Sequence, residues 1–181
     1  MTVTTNNARV LLALDLVQKY SSVYFSIGQS DKWNTNDTPP AESANTTAIS
    51  NPIAYAQVKV ATLCRPLQQN EAVPSDAITW GTDTYVRVAQ ADAYTQGATY
   101  VYFESTLAKA DVTTNDSVAF RASGVQVGLK VNSGVTSPVV KPTQVSDAGV
   151  LFSYANSAVA TLDDETSVKL GALYTMAPFD A

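Results

Sequence analysis

The apolar positions between residues 6 and 20 recur with the spacing of a helix. Asn6 or Asn7 can cap its start. Six apolar side chains form one broad stripe: Val10, Leu11, Leu12, Leu14, Leu16 and Val17. Such a stripe must be covered, so we expect the helix to pack on a sheet of its own chain, with packing on a neighbouring chain as the alternative.

Short runs of β-branched and aromatic residues, which are typical of strands, recur along most of the remaining chain. Gly81 separates two of these runs as in a hairpin, and Gly124 and Gly128 suggest a bulge or a close backbone approach. The runs are Val23–Ile27, Val58–Cys64, Ile78–Trp80, Tyr85–Val88, Thr99–Phe103, Val118–Phe120, Val125–Val131, Val150–Tyr154 and Val168–Tyr174. The pattern predicts a mainly β fold, sandwich or barrel-like, with one N-terminal helix, in a single domain over residues 1–181.

A long polar arm over residues 29–56 interrupts this pattern. It is rich in Asp, Asn, Thr and Ser, whose side chains satisfy nearby backbone groups. A tryptophan in such a segment needs a hydrophobic seat, and proline limits the entropy lost on ordering. We therefore predict that the arm crosses to an adjacent subunit or lies along an interface. The alternative is a loop folded back over its own sheet, with Trp33 closing one end of the core. The interface candidates are Trp33, Pro39, Pro40, Ile49 and the preceding Tyr24.

Composition and charge narrow the classes of partner. Of the 181 residues, 45% are hydrophobic and only 15% are charged, well below the usual quarter. A neutral polar surface of this kind is common where neighbours cover a protein, although a small secreted β-rich domain fits as well. The net charge of −5 disfavours direct binding to nucleic acid. No signal peptide and no membrane-spanning run is recognisable. The glycosylation-like matches at Asn36, Asn45 and Asn115 are expected by chance in this composition.

Several residue patterns used in catalysis are absent from the sequence. The chain has no histidine and no phosphate-binding glycine loop, which removes His-based triads and the usual imidazole metal sites. Cys64 lies in an apolar run and is interpreted as a small buried hydrophobe. The acidic run Asp163-Asp164-Glu165 could bind a hard cation, but a solvated turn is the preferred interpretation. We expect no enzymatic activity, no cofactor and no metal, although a carboxylate pair assembled by the fold stays open.

Aromatic residues are better candidates for a binding surface than the acidic run, and the chain has nine Tyr, five Phe and two Trp. Tyr100 and Tyr102 occupy one face of a predicted strand. Such a face could bind sugar or another protein. A core face or a cross-strand aromatic ladder is the more common use of this pattern.

A helix leads into a strand of the form Tyr-aromatic-x-Ile-Gly, then x-Ser-x-x-Trp and a polar loop with Pro39-Pro40. Further along the chain, Phe120-Arg121 precedes a small apolar strand. The chain then ends with GVLFSYAN at 149–156, the polar segment 163–166 and a last apolar strand at 168–173. In these stretches and in their order, the chain resembles a baseplate wedge subunit of contractile-tailed bacteriophages.

This resemblance implies a non-enzymatic structural protein of the virion, assembled in the host cytoplasm as a subunit of the baseplate wedge. A neck, collar or head-tail connector ring is the alternative position in the particle. A β-sandwich carbohydrate-binding module is the alternative of another class. The implied partners are other phage tail or neck proteins and copies of the chain itself, without nucleic acid, membrane or a small-molecule substrate.

Overall fold

A computed structural model describes residues 4–113, 117–164 and 167–176 of the chain. The helices are α1 (Asn6–Gln18), α2 (Ala93–Gln96) and α3 (Lys109–Val112). The strands are β1 (Val23–Gly28), β2 (Pro52–Gln57), β3 (Val60–Pro66), β4 (Ile78–Trp80), β5 (Asp83–Val88), β6 (Tyr100–Ala108), β7 (Val118–Val127), β8 (Lys130–Val131), β9 (Val139–Val140), β10 (Val145–Asp147), β11 (Val150–Leu162) and β12 (Ser167–Thr175). The prediction of a mainly β fold with an N-terminal helix is confirmed.

The chain forms two compact units. The first contains the described residues up to 20, residues 60–104 and those from 171 onward, and the second contains residues 21–59 and 105–170. That both units belong to one domain stays a prediction.

The sheet of the first unit has the strand order β12-β6-β3-β5-β4 and curls like a barrel. Trp80 of the edge strand β4 reaches Gly171 of the opposite edge strand β12, where an added Cβ would lie 3.2 Å from its Cζ3. Trp80 also packs edge-on against Tyr102, with ring centroids 6.2 Å apart. The rings of Tyr85 on β5 and Tyr100 on β6 also pack together, with centroids 5.1 Å apart. These tyrosines therefore form the cross-strand aromatic packing that the sequence favoured over an open sugar-binding face.

Helix α1 contacts β3 of this unit. Thr5 caps it by accepting a hydrogen bond from the Ala8 amide at 3.3 Å, so the prediction of Asn6 or Asn7 as the cap was wrong. The buried face consists of Val10, Ala13 and Val17.

The predicted apolar stripe of α1 was wider than its buried face. Leu14 and Leu16 are half-buried, whereas Leu11 and Leu12 are exposed. The helix also ends two residues earlier than predicted, because Tyr20–Ser22 turn as a 3-10 helix into β1.

The main sheet of the second unit has the order β11-β7-β1-β2-β9, and β8 and β10 form a separate small ladder. Strand β1 is central and fully buried, and it pairs antiparallel with both β2 and β7. Strand β11 lies at the edge and pairs with β7 through two bulges, one between Leu151 and Ser153 and the other between Asn156 and Ala160. This sheet carries the loop that joins β1 to β2.

Several predicted strand bounds need correction. The arm was predicted to reach residue 56, but residues 52–57 form β2, which pairs with β1. The β7 strand was predicted in two pieces and runs without interruption through Gly124, whereas Gly128, with φ of 80°, separates it from β8. The hairpin of β4 and β5 around Gly81 is confirmed.

Candidate functional site

The connection between β1 and β2, residues 29–51, is named here the 29–51 loop. Its two ends meet: the Gln29 amide donates to the Ser50 carbonyl at 3.0 Å, and the Asn51 side chain donates to the Gln29 side chain at 3.2 Å. Both Gln29 and Asn51 have left-handed backbone conformations, with φ of 57° and 44°, which asparagine tolerates better than most residues. The loop is therefore rooted at one point of the sheet.

Asx side chains organise the first half of the loop. Asn34 Oδ1 accepts from the amides of Asn36 and Thr38 at 2.9 and 3.1 Å, and Asp37 Oδ1 accepts from the Trp33 amide at 3.1 Å. These bonds replace the ladder contacts that a strand would supply, as the polar composition predicted.

The Arg121 side chain of β7 binds the first half of the loop to the sheet. Its Nε lies 2.7 Å from Asp37 Oδ1 and its Nη2 lies 2.8 Å from Asp37 Oδ2, a two-pronged pair. Its Nη1 donates to the Ser30 carbonyl. The side chains are only 7% and 22% exposed. The Arg121 hydrogen bonds hold the pKa of Asp37 below its ordinary value, which keeps the carboxylate ionised at neutral pH.

Strand β11 holds the loop from the edge of the sheet. Trp33 is half-buried, and its indole Nε1 donates to the Ser157 carbonyl at 3.1 Å. The Asn156 side chain donates to the Pro40 carbonyl at 3.0 Å, and its amide donates to Glu42 Oε1, also at 3.0 Å.

The Tyr154 hydroxyl adds a further link from β11. It accepts from the Ser43 amide at 2.5 Å and lies 2.9 Å from the Thr46 hydroxyl. These bonds occupy the middle of the edge strand, so the loop covers part of that edge.

Ile49 anchors the second half of the loop in a socket made by two glycines. A Cβ at Gly28 would lie 2.5 Å from Ile49 Cγ2, and one at Gly124 would lie 2.9 Å from Ile49 Cδ1 and 2.8 Å from the Ser153 carbonyl oxygen. Glycine at both positions therefore makes room for the isoleucine side chain. The predicted close backbone approach at Gly124 is confirmed.

The predicted interface residues lie in different environments. Trp33 and Pro39 are half-buried and Pro40 is exposed, all on the loop. Ile49 and Tyr24 are each 6% exposed, because Ile49 fills its socket and Tyr24 packs in a cluster with Tyr55, Leu129 and Val140. Little of these two side chains is left for a partner, and the interface role of the set stays a prediction.

Sequence reasoning missed four residues that hold the loop: Arg121, Tyr154, Asn156 and Glu42. The signal available for Arg121 was a charged residue within an apolar strand, which must find a partner when it is buried. Nothing in the sequence pairs it with Asp37, which lies 84 positions away along the chain.

The remaining residues singled out in the sequence are the acidic run, Cys64 and the glycosylation-like asparagines. Among the described residues, no group of three His, Cys, Asp or Glu side chains could hold a metal ion. Asp164 pairs with Lys109 at 2.6 Å, while Glu165 and the glycosylation-like Asn115 lie outside the described residues. Cys64 is fully buried, as predicted, and burial raises the pKa of its thiol to about 12.

No helix within the described ranges combines the length and the apolar character that a membrane span requires.

Comparison with known proteins gives two matches over nearly the whole chain. A family model described as "Baseplate wedge 3 tail fiber network component" matches residues 1–176. The chain is also similar to "Virion protein 3" of Enterococcus phage phiEF24C, with 28% identity over 176 residues that cover 97% of this chain and 96% of that protein.

Proposed function

Because the chain belongs to the family of baseplate wedge 3 tail fiber network components, we propose that it is a subunit of the baseplate wedge and works by assembly rather than by catalysis. The family match over residues 1–176 carries this proposal. The similarity to a phage virion protein at nearly full length supports it. Its partners are other tail proteins and copies of itself.

We place the assembly surface on the 29–51 loop. Arg121 of β7 pairs with the loop, and the edge strand β11 accepts a hydrogen bond from it, so its conformation is set before a partner binds. A surface that is already ordered loses less entropy on binding than a free arm would. Trp33 and Pro39 remain half-buried and Pro40 is exposed. These residues are thus available for a neighbouring subunit to cover.

The position in the particle is tested by electron cryomicroscopy of the phage that encodes the chain. We expect density that fits the two units and the 29–51 loop within the baseplate wedge, with a neighbouring subunit against the loop. Density in the neck, the collar or a head-tail connector ring would contradict the wedge proposal. Density in the wedge with the loop facing solvent would contradict the loop as the surface.

The loop is tested separately with Trp33→Ala. Since Trp33 is only half-buried, we expect the purified variant to stay folded, while a phage complemented with it yields fewer infectious particles. Tyr94→Ala is the matched control, because Tyr94 is an exposed aromatic residue of the first unit. Unfolding of the isolated variant, or a normal yield of particles, would contradict the interface role of Trp33.

A further inference from the structure

A groove runs between the 29–51 loop and the edge strand β11. It has a volume of about 300 Å³. Its walls are Glu42, Ser43, Ala44 and Thr46 on the loop side and residues 151–154 on the strand side. The groove combines backbone and hydroxyl groups with one carboxylate and one exposed aromatic ring.

The β-bulge in β11 places that ring. Leu151 pairs with Gln126 and Ser153 pairs with Val125, so Phe152 is the extra residue of the strand. A bulge changes the direction of a side chain relative to the regular ladder. The Phe152 side chain is 46% exposed and lines the groove. An aromatic residue that is half open to solvent in a groove has the composition of an interface anchor.

Glu42 supplies the charge. Its Oε1 accepts the Asn156 amide at 3.0 Å, which fixes the carboxylate at the groove wall. That hydrogen bond lowers the pKa of Glu42, so the group is ionised at neutral pH. Within the described ranges, no Lys or Arg nitrogen lies within 4.0 Å of Glu42. The carboxylate is therefore oriented by its own fold but has no counter-charge there.

A carboxylate beside an aromatic ring is the arrangement that receives a basic side chain. The aliphatic stem of Arg or Lys packs on the ring while its head group binds the carboxylate. The neighbouring hydroxyl and carbonyl groups of the groove accept the remaining N–H donors, of which arginine has five. A groove lined by one acid thus selects a cation by charge complementarity.

We propose that this groove receives an Arg or Lys side chain of another virion protein, which packs on Phe152 and pairs with Glu42. The inference rests on the proposed function, since it assumes that the loop side of the second unit faces a neighbour in the particle. A second copy of this chain is the poorer occupant of the groove, because its 11 Lys and Arg residues are outnumbered by 16 Asp and Glu residues.

The test uses a phage that lacks the gene and is complemented from a plasmid. Glu42→Gln removes the charge but keeps an oxygen that accepts the Asn156 amide, so the loop stays anchored. Glu42→Arg reverses the charge, and Phe152→Ala removes the ring. We expect the yield of infectious particles to fall by about tenfold or more with Glu42→Arg, and to a smaller extent with Glu42→Gln and with Phe152→Ala.

Asp92→Asn and Tyr94→Ala are the matched controls, because they remove an exposed charge and an exposed aromatic ring in the first unit. Their yields should stay within about twofold of wild type, as for surface changes away from an interface. Thermal melting of each purified variant verifies that it folds. If Glu42→Arg does not fold, the yield with Glu42→Gln decides whether the charge of Glu42 is needed.

Revertants of the Glu42→Arg phage identify the occupant. We expect second-site changes that replace a Lys or Arg of another virion protein with a neutral or acidic residue. Normal yields with both Glu42 variants would overturn the proposal. Revertants that are altered only in this chain would overturn it as well. Among such revertants, changes in the basic residues of this chain would point to a second copy as the occupant. If gold-labelled antibody finds the wild-type chain outside the baseplate, the proposed function fails instead, whatever the Glu42 variants do.

Discussion

Arg121 ties a central strand of the second unit to the loop that lies above it. A buried guanidinium is costly unless each of its donors finds an acceptor. Asp37 supplies two carboxylate oxygens and Ser30 supplies a carbonyl. Removing Asp37 therefore leaves a buried positive charge without its anion, and the loop loses its ion pair with β7.

Asp37→Asn tests this pair through its pH dependence. The folded-state pKa of Asp37 lies below its ordinary value of 3.8, so the pair contributes stability that is present above the unfolded pKa and lost as the pH falls through the folded one. We expect the variant to melt at a lower temperature than wild type at pH 7, and the gap to begin to narrow below about pH 4 and to close once the pH has fallen through the lower, folded-state pKa. Melting curves across this pH range, with Asp92→Asn as the control, measure the gap. A gap that is unchanged at low pH would contradict the ion pair as its source.

At this scale the sequence predicts burial better than it predicts partners. Cys64 was correctly placed in the core because its neighbours in the sequence are apolar, and burial is a local property of a strand pattern. The Arg121–Asp37 pair was not predicted, because two residues of different elements meet only when the sheet and the loop are both formed.

Among the elements, the 29–51 loop packs on the sheet at a position where glycine leaves space for it. Gly124 of β7 leaves the space that Ile49 fills, and the nearby Ser153 carbonyl closes it. The polar bonds to Tyr154 and Asn156 orient the loop, whereas Ile49 gives it an apolar anchor that is 6% exposed. The loop is thus held by shape as well as by hydrogen bonds.

Gly124→Val should expel Ile49 from its socket. Overfilling a packed site costs about 1–3 kcal/mol, and the displaced loop should become sensitive to chymotrypsin at Trp33. Ser123→Val is the matched control, because it adds the same side chain to the neighbouring, half-buried position of β7. Urea unfolding and limited proteolysis measure the two effects. Equal behaviour of the two variants would show that the glycine socket does not hold the loop.

Helix α1 allows a second test of element packing. Val10→Asp places an unpaired charge on the buried face and should lower the free energy of unfolding by about 3 kcal/mol or more. Leu14→Asp should cost less, because Leu14 is only half-buried. Leu12→Asp, on the exposed side, is the control. If Val10→Asp unfolds at the same urea concentration as the control, α1 does not pack within its own unit.

The sequence predicted those elements whose signal is local. The β4–β5 hairpin followed from Gly81, which adopts the left-handed conformation with φ of 61°. Strand β2 was missed because residues 52–57 follow a polar segment and are buried without alternation. Its identity as a strand depends on pairing with β1, which lies on the other side of the loop.

For the whole molecule, the resemblance to a known family indicated an identity that hydrophobic periodicity does not encode. The order β11-β7-β1-β2-β9 joins strands far apart along the chain, and no local pattern encodes such pairing. The resemblance of a few stretches indicated the phage baseplate family, to which the chain does belong. Partner identity stays beyond both approaches, because it depends on surfaces of other proteins that must complement the loop and the groove.

The whole chain offers little for hydrolytic catalysis. An enzyme that hydrolyses peptides, glycans or nucleotides needs an activated nucleophile, an acid–base pair or a metal-bound water. The chain has no histidine, the Cys64 thiol is buried with its pKa raised to about 12, and Asp37 and Glu71 are each committed to an arginine. We therefore expect no turnover of peptide, glycan or nucleotide substrates by the purified protein. Reproducible turnover that disappears when a single Asp or Glu is changed to its amide would contradict this prediction, because it would show that the fold brings together a carboxylate pair that works without histidine.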